Sequence, residues 1–284
     1  MAQNDKCPCG SGRKFRYCCG KKLKNSNELS INILENGPVK MVFTRNLLSN
    51  FVRRDIIPVQ KSFDENYWDQ MSETDKLFSD AAFVMWLGFR DHNTEDKYQE
   101  VLPGLVSNSL DSFGNAVSLL RSGYPKQAMM LLRHVIELSS TIIHIVSDPK
   151  QEAIDTFLQG KYKSSKAVTQ ADKALPILGE FWGFLSNTFV HINRLNSVPH
   201  KLKPFKKNDE TVDEIINAMK MTCWIAYLST ELAYPGVLPE NRYWKIKNIG
   251  DRHGVSFDPT DKEREWAKEY LGHSIDDDDS DRDP

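Results

Sequence analysis

Apolar positions recur at helical intervals through most of the chain beyond residue 70. Leu77, Ala81, Val84 and Leu87 share a stripe, with Ser72 three residues before Asp75 in a capping-box arrangement, and they predict a helix over 72–90. Leu110, Phe113, Val117 and Leu120 predict a second over 105–121. Gly123 suits the position just past a helix end and Pro125 the first turn of the next, so a helical hairpin follows. The helix over 125–147 has the widest apolar face, formed by Leu132, Val135, Ile136, Ser139, Ile142, Ile143 and Val146. Arg133, Glu137, Ser140 and His144 cross it as one polar line. A further helix is expected over 171–192, with Pro176 and Gly183 as interruptions. Another begins at Thr211, capped with Glu214, and ends before Pro235-Gly236, its core face being Ile215, Met219, Cys223 and Ala226. A short helix over 261–271 completes the set.

Four or five long helices without convincing strand alternation predict an all-α fold, a helical bundle. The Lys/Ser stretch 160–168 and the segment 26–70 carry no clear period; Met41-Val42-Phe43 and Ile56-Ile57-Pro58-Val59 fit short strands or helix ends equally well. The division this suggests is a small module at 1–25, a connecting segment at 26–70, a helical domain at 71–272 and a tail at 273–284.

Composition changes the picture at the two ends. The 284 residues are 40% hydrophobic and 27% charged, an ordinary globular balance. No uninterrupted apolar run approaches the roughly 18 residues of a membrane span, and the polar stretch after Met1 does not read as a signal peptide, so a cytoplasmic protein is expected. The net charge of −2 is unevenly spread. Residues 1–25 hold Lys6, Arg13, Lys14, Arg16, Lys21, Lys22 and Lys24 against Asp5 alone, while Asp276, Asp277, Asp278, Asp279, Asp281 and Asp283 make the end acidic. Such a run repels itself and stays solvated. It reads as a disordered solubilising tail, or else as a mimic of nucleic-acid charge or a cover for the basic end.

Four of the five cysteines, Cys7, Cys9, Cys18 and Cys19, fall within thirteen residues as C-x-C-x8-C-C. Disulfides do not persist in a reducing compartment, so four close thiols read as metal ligands, and four thiolates suit a closed tetrahedral zinc. Gly10, Ser11 and Gly12 let the chain turn back so that the second pair meets the first. Phe15 and Tyr17 are the bulky groups available to pack over the ion. A segment this small has no core of its own, and the metal must hold it folded. Four protein thiolates leave no open position for water, which argues against a catalytic metal.

Cys-Pro-Cys-Gly-Ser-Gly, then basic residues, an aromatic and Cys-Cys-Gly, resembles the SEC-C motif, a module of the SecA translocation motor and of many bacterial proteins. The resemblance implies structural zinc and docking to a protein or ribosomal surface. The excess of basic residues, with Phe15 and Tyr17 between them, reads either as neutralisation of a cluster of charge −2 or as a patch for RNA or an acidic protein.

Nothing in the helical part matches a phosphate loop, a nucleotide fingerprint or a nucleophile elbow. Arg133, Glu137 and His144 with Ser186 and His191 could converge inside a bundle, where a histidine beside a carboxylate serves as acid or base. The plainer alternative is an i,i+4 ion pair between Arg133 and Glu137 with two locally satisfied histidines. Ala128 to Leu138, followed some fifty residues on by Leu185-Ser186-Asn187-Thr188-Phe189-Val190-His191, resembles helical domains of the HEPN superfamily, some of which cut RNA. That resemblance implies an Arg and a His a few residues apart, a spacing Arg194 and His200 fit, in the groove of a homodimer; Arg133, Glu137 and His191 are the substitutes within the same domain. Cys223, between Thr222 and Trp224, reads as a small core residue. Three functions follow from the sequence: a zinc-bearing docking protein, a metal-independent ribonuclease of the toxin or phage-defence kind, and a chaperone or translocation accessory.

Overall fold

The computed structural model describes residues 4–7, 11–18, 47–90, 96–191, 197, 202–249 and 252–275. The fold is all-α, with one short hairpin. A turn at Leu47–Asn50 and a π-helical stretch at Phe51–Asp55 lead into α1 (Ile57–Tyr67), followed by α2 (Ser72–Arg90), α3 (Lys97–Arg121) and α4 (Pro125–Ser147). Then come α5 (Glu152–Leu158), α6 (Ser164–Ala171), α7 (Ile177–Leu185), α8 (Glu210–Ala233), strands β1 (Trp244–Ile249) and β2 (Arg252–Phe257), and α9 (Asp261–Leu271).

The centre of the bundle is α8. From Met221 to Tyr234 every side chain is buried, so this stretch has no solvent face and must be enclosed on all sides. It packs against α4, α2 and α3, while α4 also packs against α3 and α6. Small residues let α4 and α8 approach closely, and Ser229 Oγ donates to Ser139 Oγ across the crossing at 3.1 Å. The hydroxyls of Thr222 and Thr230 turn back onto the carbonyls of Ala218 and Ala226, both at 2.8 Å, so neither is left without a partner in the apolar interior.

The α3–α4 junction follows the sequence expectation closely. Gly123 has φ +84°, the left-handed conformation that glycine adopts without strain, and Pro125 occupies the first turn of α4. At its start, however, α3 runs eight residues beyond expectation, to Lys97 rather than 105. Asp96 caps it by accepting from the Tyr98 amide at 2.9 Å, and Pro103 sits inside the helix with Val101, Leu102 and Leu105 buried around it. Packing on one flank outweighs the missing amide, a cost of about 3 kcal/mol in an exposed helix. Asp209, not Thr211, caps α8, accepting from the Thr211 amide at 3.2 Å.

Other elements depart further from the pattern. The Lys/Ser stretch contains α6, whose Ala167, Val168 and Ala171 are buried. The helix expected over 171–192 is only α7, entered through Pro176 and continued as a π-helical turn, Ser186–Val190. Within 26–70, α1 buries Val59, Phe63 and Tyr67 in the core, and Met41-Val42-Phe43 lies outside the described residues. The Tyr67 hydroxyl donates to the Lys206 carbonyl at 2.5 Å and accepts from the Asp209 amide at 2.9 Å, tying α1 to the chain entering α8. By length and composition α4 could cross a membrane; Arg133, His134 and Glu137 hide this from a search for unbroken apolar runs. Its apolar face is spent on α3, α6 and α8, as a bundle's core helix requires.

The β1–β2 hairpin pairs Trp244 with Phe257 and Ile246 with Val255. Glu231, 1% exposed, anchors it: one carboxylate oxygen accepts from the Tyr243 and Trp244 amides at 2.9 and 3.2 Å. Burial holds that carboxyl above its ordinary range, and the amide donors oppose the shift. Nearby, Arg242 pairs with Glu263 of α9 at 2.7 Å and lies over the rings of Tyr227, Tyr243 and Trp266.

At Gly88 of α2 a β-carbon would stand 2.2 Å from the Tyr234 ring, itself buried at the end of α8. The close approach of these two elements needs a residue without a side chain. Gly88→Ala is expected to lower the unfolding free energy by about 1–3 kcal/mol through overpacking, read as a lower urea midpoint at unchanged slope.

Candidate metal centre and the Arg133 cluster

The N-terminal module is built on a tight reversal. The Cys7 amide donates to the Arg13 carbonyl at 2.7 Å and the Phe15 amide to the Asp5 carbonyl at 2.8 Å, with Lys6 bridged antiparallel to Lys14. Gly12, at φ +68°, supplies the left-handed turn that this reversal needs. A 3₁₀ turn, Phe15–Tyr17, then delivers Cys18, whose Sγ stands 3.2 Å from Ser11 Oγ. Cys7 is buried although the segment is almost all surface.

Of the four predicted ligands only Cys7 and Cys18 fall among the described residues; Cys9 and Cys19 lie outside them, and no group of three donors converges within the described set. The two that are placed come from the opposite ends of the reversal. Four thiols in the spacing C-x-C-x8-C-C are the donor chemistry that a tetrahedral thiophilic ion takes. Tyr17 departs from its expected packing role: it is 60% exposed, with the Arg16 guanidinium 4.5 Å from its ring centre. Lys6, Arg13 and Lys14 are exposed as well, so the module presents cations and an aromatic ring outward.

In the bundle, three of the residues singled out from sequence do meet. Arg133 and Glu137 of α4 pair at 3.0 Å, and the Arg133 Nε donates to Ser186 Oγ at 2.8 Å. The Arg133 guanidinium also lies 5.1 Å from the Trp182 ring centre, while Trp182 Nε1 donates to Glu137 at 3.3 Å. Ser186 in turn donates to the Trp182 carbonyl at 2.8 Å. The cluster therefore ties α4 to α7 through groups that satisfy one another. Trp182 is the member that sequence reasoning did not assign to it, although its place four residues before Ser186 puts both on one helical face.

His191 is exposed, and among the described residues no hydrogen bond or ion pair joins its ring to Arg133 or Glu137. Arg194 and His200 lie outside the described residues, as does the acidic run 276–284. His144 turns the other way from the cluster and meets Tyr162, Nδ1 to Oη 2.8 Å. Cys223 is buried with its Sγ 3.6 Å from the Thr74 carbonyl, and burial pushes its thiol well above the ordinary range. It is a core group, as its neighbours in the sequence implied.

Residues 4–21 match the family model of the SEC-C motif. Within the same stretch the chain is 67% identical over 21 residues to the protein translocase subunit SecA of Treponema denticola. That match spans 7% of this chain and 2% of SecA, so it concerns the module and not the bundle. No solved structure matches the chain.

Burial holds His144 below the ordinary imidazole value near 6.5; Lys166 and Lys173 push the same way and Asp148 opposes them. The folded state therefore disfavours the charged ring, and the unfolded chain binds the proton at higher pH. The stabilising contribution is complete above about pH 6.5 and is lost as pH falls below it. The melting temperature is expected to drop between pH 7 and pH 5.5, and His144→Gln to flatten that part of the profile.

Proposed function

We propose that this chain is a cytoplasmic docking protein in which one structural zinc, held by Cys7, Cys9, Cys18 and Cys19, folds a basic module at 1–25 that attaches the helical domain to a partner protein with an acidic surface. The observation that carries this is the SEC-C match over residues 4–21, together with the reversal that draws the two halves of the cysteine pattern toward each other. Held by four thiolates, a zinc ion would shape the module and have no position left for substrate. Lys6, Arg13, Lys14 and Arg16 supply the attraction, and the exposed Tyr17 ring an amphipathic contact beside Arg16. A protein partner is favoured over RNA because the relative sharing this module is a subunit of a protein translocase. The Arg133 cluster supports a structural role for that part of the bundle, since each of its polar groups is engaged by another.

Metal analysis of the purified chain is expected to find about one zinc per molecule, as a four-thiolate site binds a single ion. Cys18→Ser/Cys19→Ser should remove it while leaving the thermal unfolding of the bundle in place. Affinity capture with the intact chain should retain an acidic protein that the double variant and Arg13→Glu/Arg16→Glu release. Undiminished zinc in the double variant would overturn the ligand assignment. Cleavage of total RNA in EDTA that His200→Ala abolishes would replace docking with a ribonuclease.

A further inference from the structure

A second site lies where the start of α2 passes the middle of α3. The 3₁₀ turn Trp68–Met71, which joins α1 to α2, and these two helices border a cavity of about 150 Å³. Trp68, Met71, Phe78, Phe113 and Val117 supply most of its wall. The Phe78 and Phe113 rings lie 5.8 Å apart at an interplanar angle of 28°. Met71 and Phe113 are buried, whereas Trp68 is 43% exposed, a large ring only partly covered.

The wall makes little polar demand. Its one hydroxyl, that of Thr74, is bonded to the Tyr270 hydroxyl at 2.9 Å, and among the described residues no side chain of the wall carries a buried polar atom without a partner. An ordered water needs two or more polar partners, so an apolar occupant suits this space better. Asp75, the one charged residue of the wall, is exposed. Gly114 completes the wall from inside α3, where glycine is the weakest helix former after proline. No neighbour requires it there: a β-carbon at Gly114 would meet no atom within 4 Å, unlike one at Gly88. We infer that this cavity binds a small neutral molecule built on a single aromatic ring, seated against Trp68, Phe78 and Phe113, with Gly114 leaving room for it. Size and lining set the ligand class: an apolar cavity of about 150 Å³ takes a molecule of benzene's dimensions, and ring–ring contacts add to the apolar burial. An acid is disfavoured, because its charge would be desolvated against an apolar wall that offers no cation.

The inference does not depend on the zinc module, and its test is separate. Fluorobenzene serves as the probe, titrated against the full-length chain and followed by fluorine NMR, with 4-fluorobenzoate as the charged comparison. Saturable binding with a dissociation constant of about 1 mM or tighter is expected for the neutral ring, and binding at least about tenfold weaker for the benzoate. Gly114→Leu, which puts a side chain into the open part of the wall, should weaken fluorobenzene at least about tenfold without lowering the melting temperature. Trp68→Ala should weaken it about threefold to tenfold. Gly104→Leu is the control: it makes the same substitution in the same helix, also with no atom within 4 Å of the β-carbon but outside the cavity wall, and should leave the affinity unchanged. Absence of saturable binding up to the solubility of the probe, equal affinity for the benzoate, or equal effects of Gly114→Leu and Gly104→Leu would overturn the site.

Discussion

The constraint on which the bundle depends is that α8 has no wet side over its second half. Thr222, Ser229, Thr230 and Glu231 lie in that buried stretch among Trp224, Tyr227, Leu228 and Leu232; the three hydroxyls turn onto carbonyls of the same helix, and one Glu231 oxygen takes backbone amides. Enclosing such a helix takes several partners. α2, α3 and α4 cover most of it, and Trp244, whose indole donates to the Leu228 carbonyl at 2.8 Å, extends the cover beyond the helices. Glu231 makes this last part specific: its carboxylate accepts amides from residues 243 and 244, and only chain entering the hairpin in that register can supply both. The hairpin is thus a plug for the helical core more than a sheet in its own right.

This arrangement explains which parts of the fold were legible in the sequence. The helices over 72–90 and 125–147 were read closely because each has one apolar stripe, a clear punctuation residue and a length set by packing on one side. Gly123 and Pro125 marked the α3–α4 junction without ambiguity. Where local signals and burial disagree, the reading failed. The helix expected from 105 begins at Lys97 and takes Pro103 into its buried interior, while the Lys/Ser stretch hid α6 because three small or medium apolar residues suffice to seat it. The hairpin had a visible signal, the alternation Trp244-Lys245-Ile246-Lys247 followed by the Gly250-Asp251 turn pair, which the surrounding helical periodicity obscured.

The candidate sites divide in the same way. Cysteine spacing is a local covalent pattern, and the module could be recognised from twenty residues. Convergence of Arg133, Glu137 and Ser186 depended on how α4 and α7 pack, and sequence could offer it only as one of two alternatives. The structure joins both: the i,i+4 ion pair exists, and it is also the node that holds Ser186 and Trp182. His191, which the same reasoning placed beside that node, stands exposed instead, because α7 gives way at Ser186 to a π-helical turn and the face on which His191 was counted no longer continues.

The bundle and the N-terminal module rest on different physical devices. The bundle is stabilised by apolar burial around α8, which is insensitive to chelators and to thiol chemistry, Cys223 being enclosed and protonated. The module has one buried side chain among its described residues, Cys7, and its bulkiest ring points outward. Apolar burial on that scale cannot offset the conformational entropy of even a dozen ordered residues, at about 1–2 kcal/mol each, so a further source of free energy is required. A metal held by the cysteines, as proposed above, would supply it, and an outward tyrosine beside arginine would then be no packing defect. A metal-held fold releases its aromatic and cationic groups from any duty in a core, and leaves them all available to a partner.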